Sequence, residues 1–277
     1  MSSEMTPTQQ TDNALVFEEL HYRVEGATLL SEASGRFEAG RIHAILGQNG
    51  AGKSTLLRCL TKERPASSGR VVLAGHDLQS LSYRELALRR AVLPQNPSLV
   101  FAFQVEQLVG LGFDVQHWSS DSRAIAMQAI LQACDLVHLA KRDYLSLSGG
   151  EQQRAHLARV LAQIWPKNPD TSQAFAGKWL FLDEWSDGLD LKHQVRLSAL
   201  LRQWVKQGLS VVMILHDLNQ IMQWADDCMM LKQGRVFTYG SVPEVMTPEN
   251  IESVLGVSVR VLQSEDSVST MIFPQLS

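Results

Sequence analysis

The sequence predicts an α/β fold with an all-helical subdomain set into it, and three observations carry that expectation. Short apolar runs of strand length alternate with amphipathic helical stretches along most of the 277 residues. The central runs, Ile42–Leu46, Trp179–Asp183 and Val211–His216, are almost uninterrupted in apolar residues, the pattern of strands covered on both faces. Between about Pro97 and Trp165 the strand signal stops, and Val105–Leu111, Ser122–Cys134 and Gln152–Trp165 all read as helices.

In chain order, residues 1–13 are rich in Ser, Thr, Gln and Asn and read as a flexible tail. Leu15–Phe17 is the first strand, followed by Ile42–Leu46, Val71–Ala74 and Val92–Leu93. After Ile42–Leu46 a helix is expected over Thr55–Lys62, with Leu56, Leu57 and Leu60 on one side. In the third helix of the inserted block, Leu157, Leu161, Ile164 and Trp165 share one stripe. Pro166–Gly177 has turn composition and reads as an exposed loop. Strands at Trp179–Asp183, Val211–His216, Met229–Leu231 and Arg235–Tyr239 follow. The domain spans 14–240, with the helical subdomain at about 97–165. The C-terminal extension, 241–277, should hold short helices near Pro243–Met246 and Pro248–Leu255 and then two short strands.

Composition narrows the function classes. Hydrophobic residues make up 45%, enough to bury a sizeable core, and 29 acids against 25 bases give a net charge of −4. That balance argues against nucleic acid as a partner, since a phosphate backbone calls for a basic surface. No stretch approaches 18 apolar residues, so no bilayer span is expected. The first residues carry Glu4 and no hydrophobic segment, unlike a secretory signal. Cys59, Cys134 and Cys228 have no metal or disulfide spacing and read as free thiols in a reducing compartment.

Three motifs carry chemistry. Gly47-Gln48-Asn49-Gly50-Ala51-Gly52-Lys53-Ser54, followed by Thr55, lies between an apolar strand and a helix. Its glycines let successive backbone N–H groups converge on a phosphate, and the helix N-terminus adds its dipole. Lys53 offers a cation to the β- and γ-phosphates, and the Ser54 hydroxyl is a Mg²⁺ ligand. Trp179-Leu180-Phe181-Leu182-Asp183-Glu184 is a buried strand ending in two carboxylates. Asp183 would face the Mg²⁺, and Glu184 would face the γ-phosphate and polarise an attacking water. Leu147-Ser148-Gly149-Gly150-Glu151-Gln152-Gln153-Arg154 opens the third helix. Ser148 with Glu151 is a capping box by spacing, while the two glycines point to close approach by a ligand at a second anion-binding helix N-terminus. One nucleotide cannot easily need both anion sites of one subunit.

With these motifs in place, residues 14–256 resemble the ATP-binding subunit of ABC transporters. The resemblance implies a P-loop NTPase (RecA-like) core, an inserted helical subdomain and a small antiparallel β region. It also implies a head-to-tail homodimer, with ATP between the phosphate loop of one subunit and Ser148, Gly149, Gly150 and Glu151 of the other. Gln95, after an apolar strand, matches the family's Q-loop and becomes a Mg²⁺ and water contact. His216 matches the switch histidine, which contacts the γ-phosphate and helps hold Glu184. The adenine-stacking position aligns best with Val24, with Tyr22 two residues earlier. Work on a membrane permease dimer is implied, at the cytoplasmic face of a bacterial inner membrane, with a periplasmic binding protein reached through the permease.

Arg89–Gln95, Leu157–Gln163, Leu189–Gln194 and His216–Asn219 are similar to bacterial heme-importer ATPases, and in part to siderophore and cobalamin importers. One departure stands out. After the glutamate the family reads Pro-Thr-Ser-Ala-Leu-Asp, and this chain reads Trp185-Ser186-Asp187-Gly188-Leu189-Asp190. Losing the proline and gaining Gly188 should loosen the loop, and Asp187 adds negative charge near the nucleotide. Binding should survive, with dimer closure and turnover weakened.

Overall fold

The computed structural model describes residues 13–95, 97, 99, 101–263 and 270–275; the expected tail lies outside them except for Asn13. The chain opens with β1 (Leu15–Val24) and β2 (Ala27–Phe37), an antiparallel hairpin, then β3 (Ile42–Gly47) and α1 (Lys53–Leu60). β4 (Ser68–Leu73), β5 (His76–Asp77), α2 (Tyr83–Arg89) and β6 (Arg90–Leu93) follow. The helical block contains α3 (Val105–Phe113), α4 (Ser120–Ala133), two single-turn 3-10 helices and α5 (Gly149–Ile164). The chain then returns to the core with β7 (Trp179–Asp183), α6 (Leu191–Lys206), β8 (Ser210–Ile214), α7 (Leu218–Trp224), β9 (Asp227–Lys232) and β10 (Arg235–Ser241). The last elements are α8 (Val242–Val245), α9 (Pro248–Leu255) and the hairpin β11 (Val259–Gln263)–β12 (Thr270–Pro274).

The central sheet runs β10-β9-β3-β8-β7-β6, parallel except for β10. A second, antiparallel sheet has the order β2-β1-β4-β5. Alternate residues of the central strands serve two apolar layers. Ala44, Leu46, Leu180, Leu182, Val211 and Met213 face the layer that holds α3, α5 and α6. Ile45, Trp179, Phe181, Val212 and Ile214 face α1 and the antiparallel sheet. Burial on both faces explains why these strands read as unbroken apolar runs.

The antiparallel sheet is where sequence periodicity fails. β2 was not legible because Glu32 takes a left-handed φ of 55° and β1 is bulged at Glu19, φ 48°. Bulges break the two-residue alternation that identifies a half-buried strand. In the helical block the elements fall where expected, though α5 ends one residue early and Trp165 leaves it in extended geometry. Residues 241–263 and 270–275 do not stand apart: Val242, Val245, Ile251, Val254 and Ile272 belong to the same apolar layer as the helical block.

Pro166–Gly177 is largely exposed, as expected, but Pro166 and one aromatic ring are buried. Phe175 is buried, edge-on to Trp165 at 5.8 Å and tilted against Trp204 of α6 at 5.9 Å between ring centroids. Trp165 and Trp204 themselves meet at 5.6 Å. An aromatic trio thus fastens the loop between α5 and β7, at an energetic gain beyond area burial alone. Phe175→Ala should lower the unfolding free energy by about 3–5 kcal/mol, checked by denaturant titration of the full chain.

Candidate nucleotide site

The carboxyl ends of four adjacent parallel strands converge on one cavity. In the order β3-β8-β7-β6, these ends carry the phosphate loop, His216, Asp183 with Glu184, and Gln95. Ligands of open α/β sheets bind at such strand ends. The cavity, about 550 Å³, is lined by Leu29, Asn49, Gly50, Gly52, Lys53, Ser54, Thr55, Gln95, Glu184 and His216.

The phosphate loop turns from β3 into α1, and Gly52 occupies the N-cap of α1 with φ 100°. A Cβ there would come within 2.7 Å of the Leu29 carbonyl oxygen, so this turn requires glycine twice over. No side chain caps the helix, which leaves its first N–H groups to the cavity. Lys53 is folded back onto the loop, its Nζ donating to the carbonyl oxygens of Gly47 at 2.9 Å and Gln48 at 3.1 Å. Burial pushes its ammonium below the ordinary lysine value, opposed by Glu184 and Asp183. Across from it, burial pushes the Asp183 carboxyl above its ordinary value, against a hydrogen bond from Ser54 Oγ at 3.3 Å. Each group is short of a counter-charge: phosphate anions would restore the one and a cation the other. The Ser54 hydroxyl, the Asp183 carboxylate and the Gln95 amide form a hard-oxygen set that fits Mg²⁺ arriving with a nucleotide's phosphates.

Glu184, in the turn after β7, takes a left-handed φ of 53°, a backbone state that a non-glycine residue holds only when its surroundings fix it. Both carboxylate oxygens are engaged. His216 Nε2 donates to Oε1 at 2.5 Å, and Gln95 Nε2 donates to Oε2. The three side chains predicted from three distant motifs therefore meet at one carboxylate.

Other expected residues sit elsewhere. Gln48 turns out of the cavity, its Nε2 donating to the Leu255 carbonyl oxygen at 3.0 Å. Ala51 is buried, and a Cβ on Gly47 would run into the Leu231 carbonyl oxygen and Ala51. Ser148, Gly149, Gly150 and Glu151 do not line this cavity. They open α5, where Ser148 and Glu151 form the expected capping box, with Ser148 N–H donating to Glu151 Oε2 at 2.8 Å. The N–H groups of Gly149 and Gly150 find no acceptor among the described residues. Neither adenine candidate lines the cavity: Tyr22 Oη accepts from Arg64 Nη1 at 3.2 Å, and Val24 is exposed at the end of β1. The apolar wall is instead Leu29 of β2, missed because β2 itself carried no readable period.

The loop after Glu184 is not loose, which corrects the sequence expectation. Trp185 is fully buried, its ring 5.5 Å from that of Trp224. Gln153 Nε2 donates to the Trp185 carbonyl oxygen at 3.2 Å, and Gln194 Nε2 donates to Ser186 O at 3.1 Å. Gly150 packs against this loop so closely that a Cβ on it would lie 2.9 Å from the Gly188 carbonyl oxygen. The indole thus replaces the proline's conformational restraint with packing. Asp187 stays exposed, with no side-chain partner among the described residues.

Comparison with known proteins now decides the family. The chain is 43% identical over 245 residues to the hemin import ATP-binding protein HmuV of Pseudomonas entomophila, covering 88% of this chain and 93% of that protein. The HmuV of Escherichia coli O157:H7 is 40% identical over 254 residues, covering 91% and 96%. The chain belongs to the ATP-binding proteins of ABC transporters. The family profile "ABC transporter" matches residues 30–165. Among solved structures, a metal-chelate-type ABC transporter in an inward-facing conformation superposes with a TM-score of 0.74 at 27% identity, covering 95% of this chain and 98% of that one. CbiO1 of Clostridium perfringens, part of the CbiONQ ABC transporter complex, gives 0.71 at 27% identity, covering 88% and 96%. This ABC protein is accordingly an ATP-binding ATPase with a P-loop NTPase fold. Among the described residues no helix is long and apolar enough to cross a membrane.

Among the described residues, Lys53 is the only lysine or arginine lining the cavity. Lys53→Ala should weaken Mg·ATP binding about 10- to 100-fold, the loss expected for a charge-assisted hydrogen bond, and calorimetric titration measures it directly.

Proposed function

We propose that this chain hydrolyses ATP as a head-to-tail homodimer and thereby drives hemin import through a separate permease dimer at the cytoplasmic face of a bacterial inner membrane. The observation that carries the chemistry is the Glu184 carboxylate clamped between Gln95 and His216 at the edge of the nucleotide cavity. Lys53 and the N–H groups of the phosphate loop hold the β- and γ-phosphates. Ser54, Asp183 and Gln95 would hold Mg²⁺, which would offset phosphate charge. Each Glu184 oxygen keeps a second lone pair beside its existing hydrogen bond. One of them takes a proton from water as the water oxygen bonds to the γ-phosphorus and the bond to ADP breaks. His216 keeps the carboxylate aimed and lines the cavity that would receive the γ-phosphoryl group.

The dimer accounts for the second anion site. Gly149 and Gly150, whose N–H groups have no acceptor among the described residues, do not line this chain's own cavity. A partner subunit's γ-phosphate satisfies them, and the packing of Gly150 on Gly188 ties that contact to the loop carrying Glu184. Asp187, exposed on the same loop, brings an acid toward the interface, a charge that opposes closure at low ionic strength. Hemin as cargo is supported by the 40–43% identity to hemin import ATP-binding proteins over nearly their whole length.

Glu184→Gln should bind Mg·ATP, hydrolyse it at least about a hundredfold more slowly, and run as a dimer on a sizing column when ATP is present. Parental turnover by this variant would remove Glu184 from the reaction. In proteoliposomes with the permease, ATP hydrolysis should rise on addition of a hemin-loaded binding protein and stay at its basal rate with ferric-siderophore or cobalamin equivalents. A response to one of the latter moves the cargo to that chelate class.

A further inference from the structure

The C-terminal segment reaches back to the nucleotide site at two points. The first is the phosphate loop. α9 ends at Leu255, and Gly256 closes it in the left-handed region with its N–H donating to Glu252 O. The Leu255 carbonyl is one of the last four of the helix and has no partner within it; Gln48, from inside the phosphate loop, donates to it. A side chain of the nucleotide-binding turn is thus spent on holding the C-terminal segment.

The second point is the segment after His216. Asp217 caps α7, its carboxylate accepting from the N–H groups of Asn219 and Gln220. This makes His216 to Asn219 a stiff run. The Asn219 side chain then makes both hydrogen bonds of a strand neighbour to one residue of β12. Its Oδ1 accepts from the Ile272 N–H at 2.8 Å, and its Nδ2 donates to the Ile272 carbonyl oxygen at 3.2 Å. β12 pairs with β11 on its other edge, and the Ile272 side chain is buried in the core. α9 packs on β11, and β11 pairs with β12. Phosphate loop and His216 are therefore joined twice, once through the central sheet and once through α9, β11 and β12.

We propose that this segment is a clasp that positions the two loops for hydrolysis, with Gln48 and Asn219 as positioning residues, the first for the phosphate loop and the second for His216. The inference rests on the roles given above to the phosphate loop and His216. Because the clasp spans both loops, nucleotide seated at one end tightens the other, and the β12 amide at Ile272 reports it.

The test uses the full chain. Asn219→Ala should lower kcat for ATP hydrolysis about three- to tenfold with KM for Mg·ATP nearly unchanged, and Gln48→Ala should raise KM by a similar factor. Amide exchange at Ile272 should slow on saturation with Mg·ADP in the parent. In Gln48→Ala at saturating Mg·ADP that slowing should be lost, although Asn219 is intact. Parental kcat in Asn219→Ala, or kcat and KM degraded together in step with a lowered Tm, overturns the clasp. So does Ile272 exchange that ignores nucleotide. Should His216→Ala hydrolyse ATP at the parental rate, the site assignment fails instead, and nucleotide-dependent exchange at Ile272 alone then decides the clasp.

Discussion

The site depends on the parallel register of four buried strands. β3, β8, β7 and β6 are locked side by side, with Ile45 opposite Ile214, Asp183 opposite Ile214, and Leu93 opposite Leu182. Their carboxyl ends are therefore level, and whatever residue follows each strand arrives at the same cavity. A slip of one residue in any pair would turn its apolar side chains to the opposite layer. The packing of two distinct layers, one with α3, α5 and α6 and the other with α1, is what forbids that slip. Catalytic geometry is thus inherited from hydrophobic registration.

Charge within that cavity is arranged to be incomplete. Lys53 is buried with two backbone carbonyls for company, and Asp183 is buried with one hydroxyl. Neither forms an ion pair with the other among the described residues, so each is buried at a cost that an opposite charge on a ligand would offset. Glu184 differs: side-chain donors from Gln95 and His216 hold both of its oxygens, which fixes its orientation.

The loop after Glu184 shows how a family position can change chemistry and keep its mechanical role. Proline restrains a chain by fixing φ. Trp185 restrains it by burial against Trp224, helped by the hydrogen bonds of Gln153 and Gln194 to the loop's carbonyls. The contact between Gly150 and Gly188 makes the start of α5 and this loop a single surface. A change felt at one is felt at the other within the same subunit.

The sequence by itself determined the chemistry and the class of fold. The phosphate loop, the Asp183–Glu184 pair and the Ser148–Glu151 box are local patterns whose geometry follows from a strand end, a tight turn or a helix start, so spacing alone reveals them. The unbroken apolar runs likewise state that a strand is covered on both faces. Only the tertiary structure decided which residues meet. Gln95, Glu184 and His216 are separated by 89 and 32 residues and converge through strand order, which no local period encodes. Leu29 entered the cavity on a bulged strand whose alternation is broken, and Phe175 was drawn into the core from a stretch of loop composition by two tryptophans on other elements. Gln48 and Asn219 found their partners in a segment more than 50 residues away. Local preference specifies what a residue can do; burial and register, which are properties of the whole chain, select where it does it.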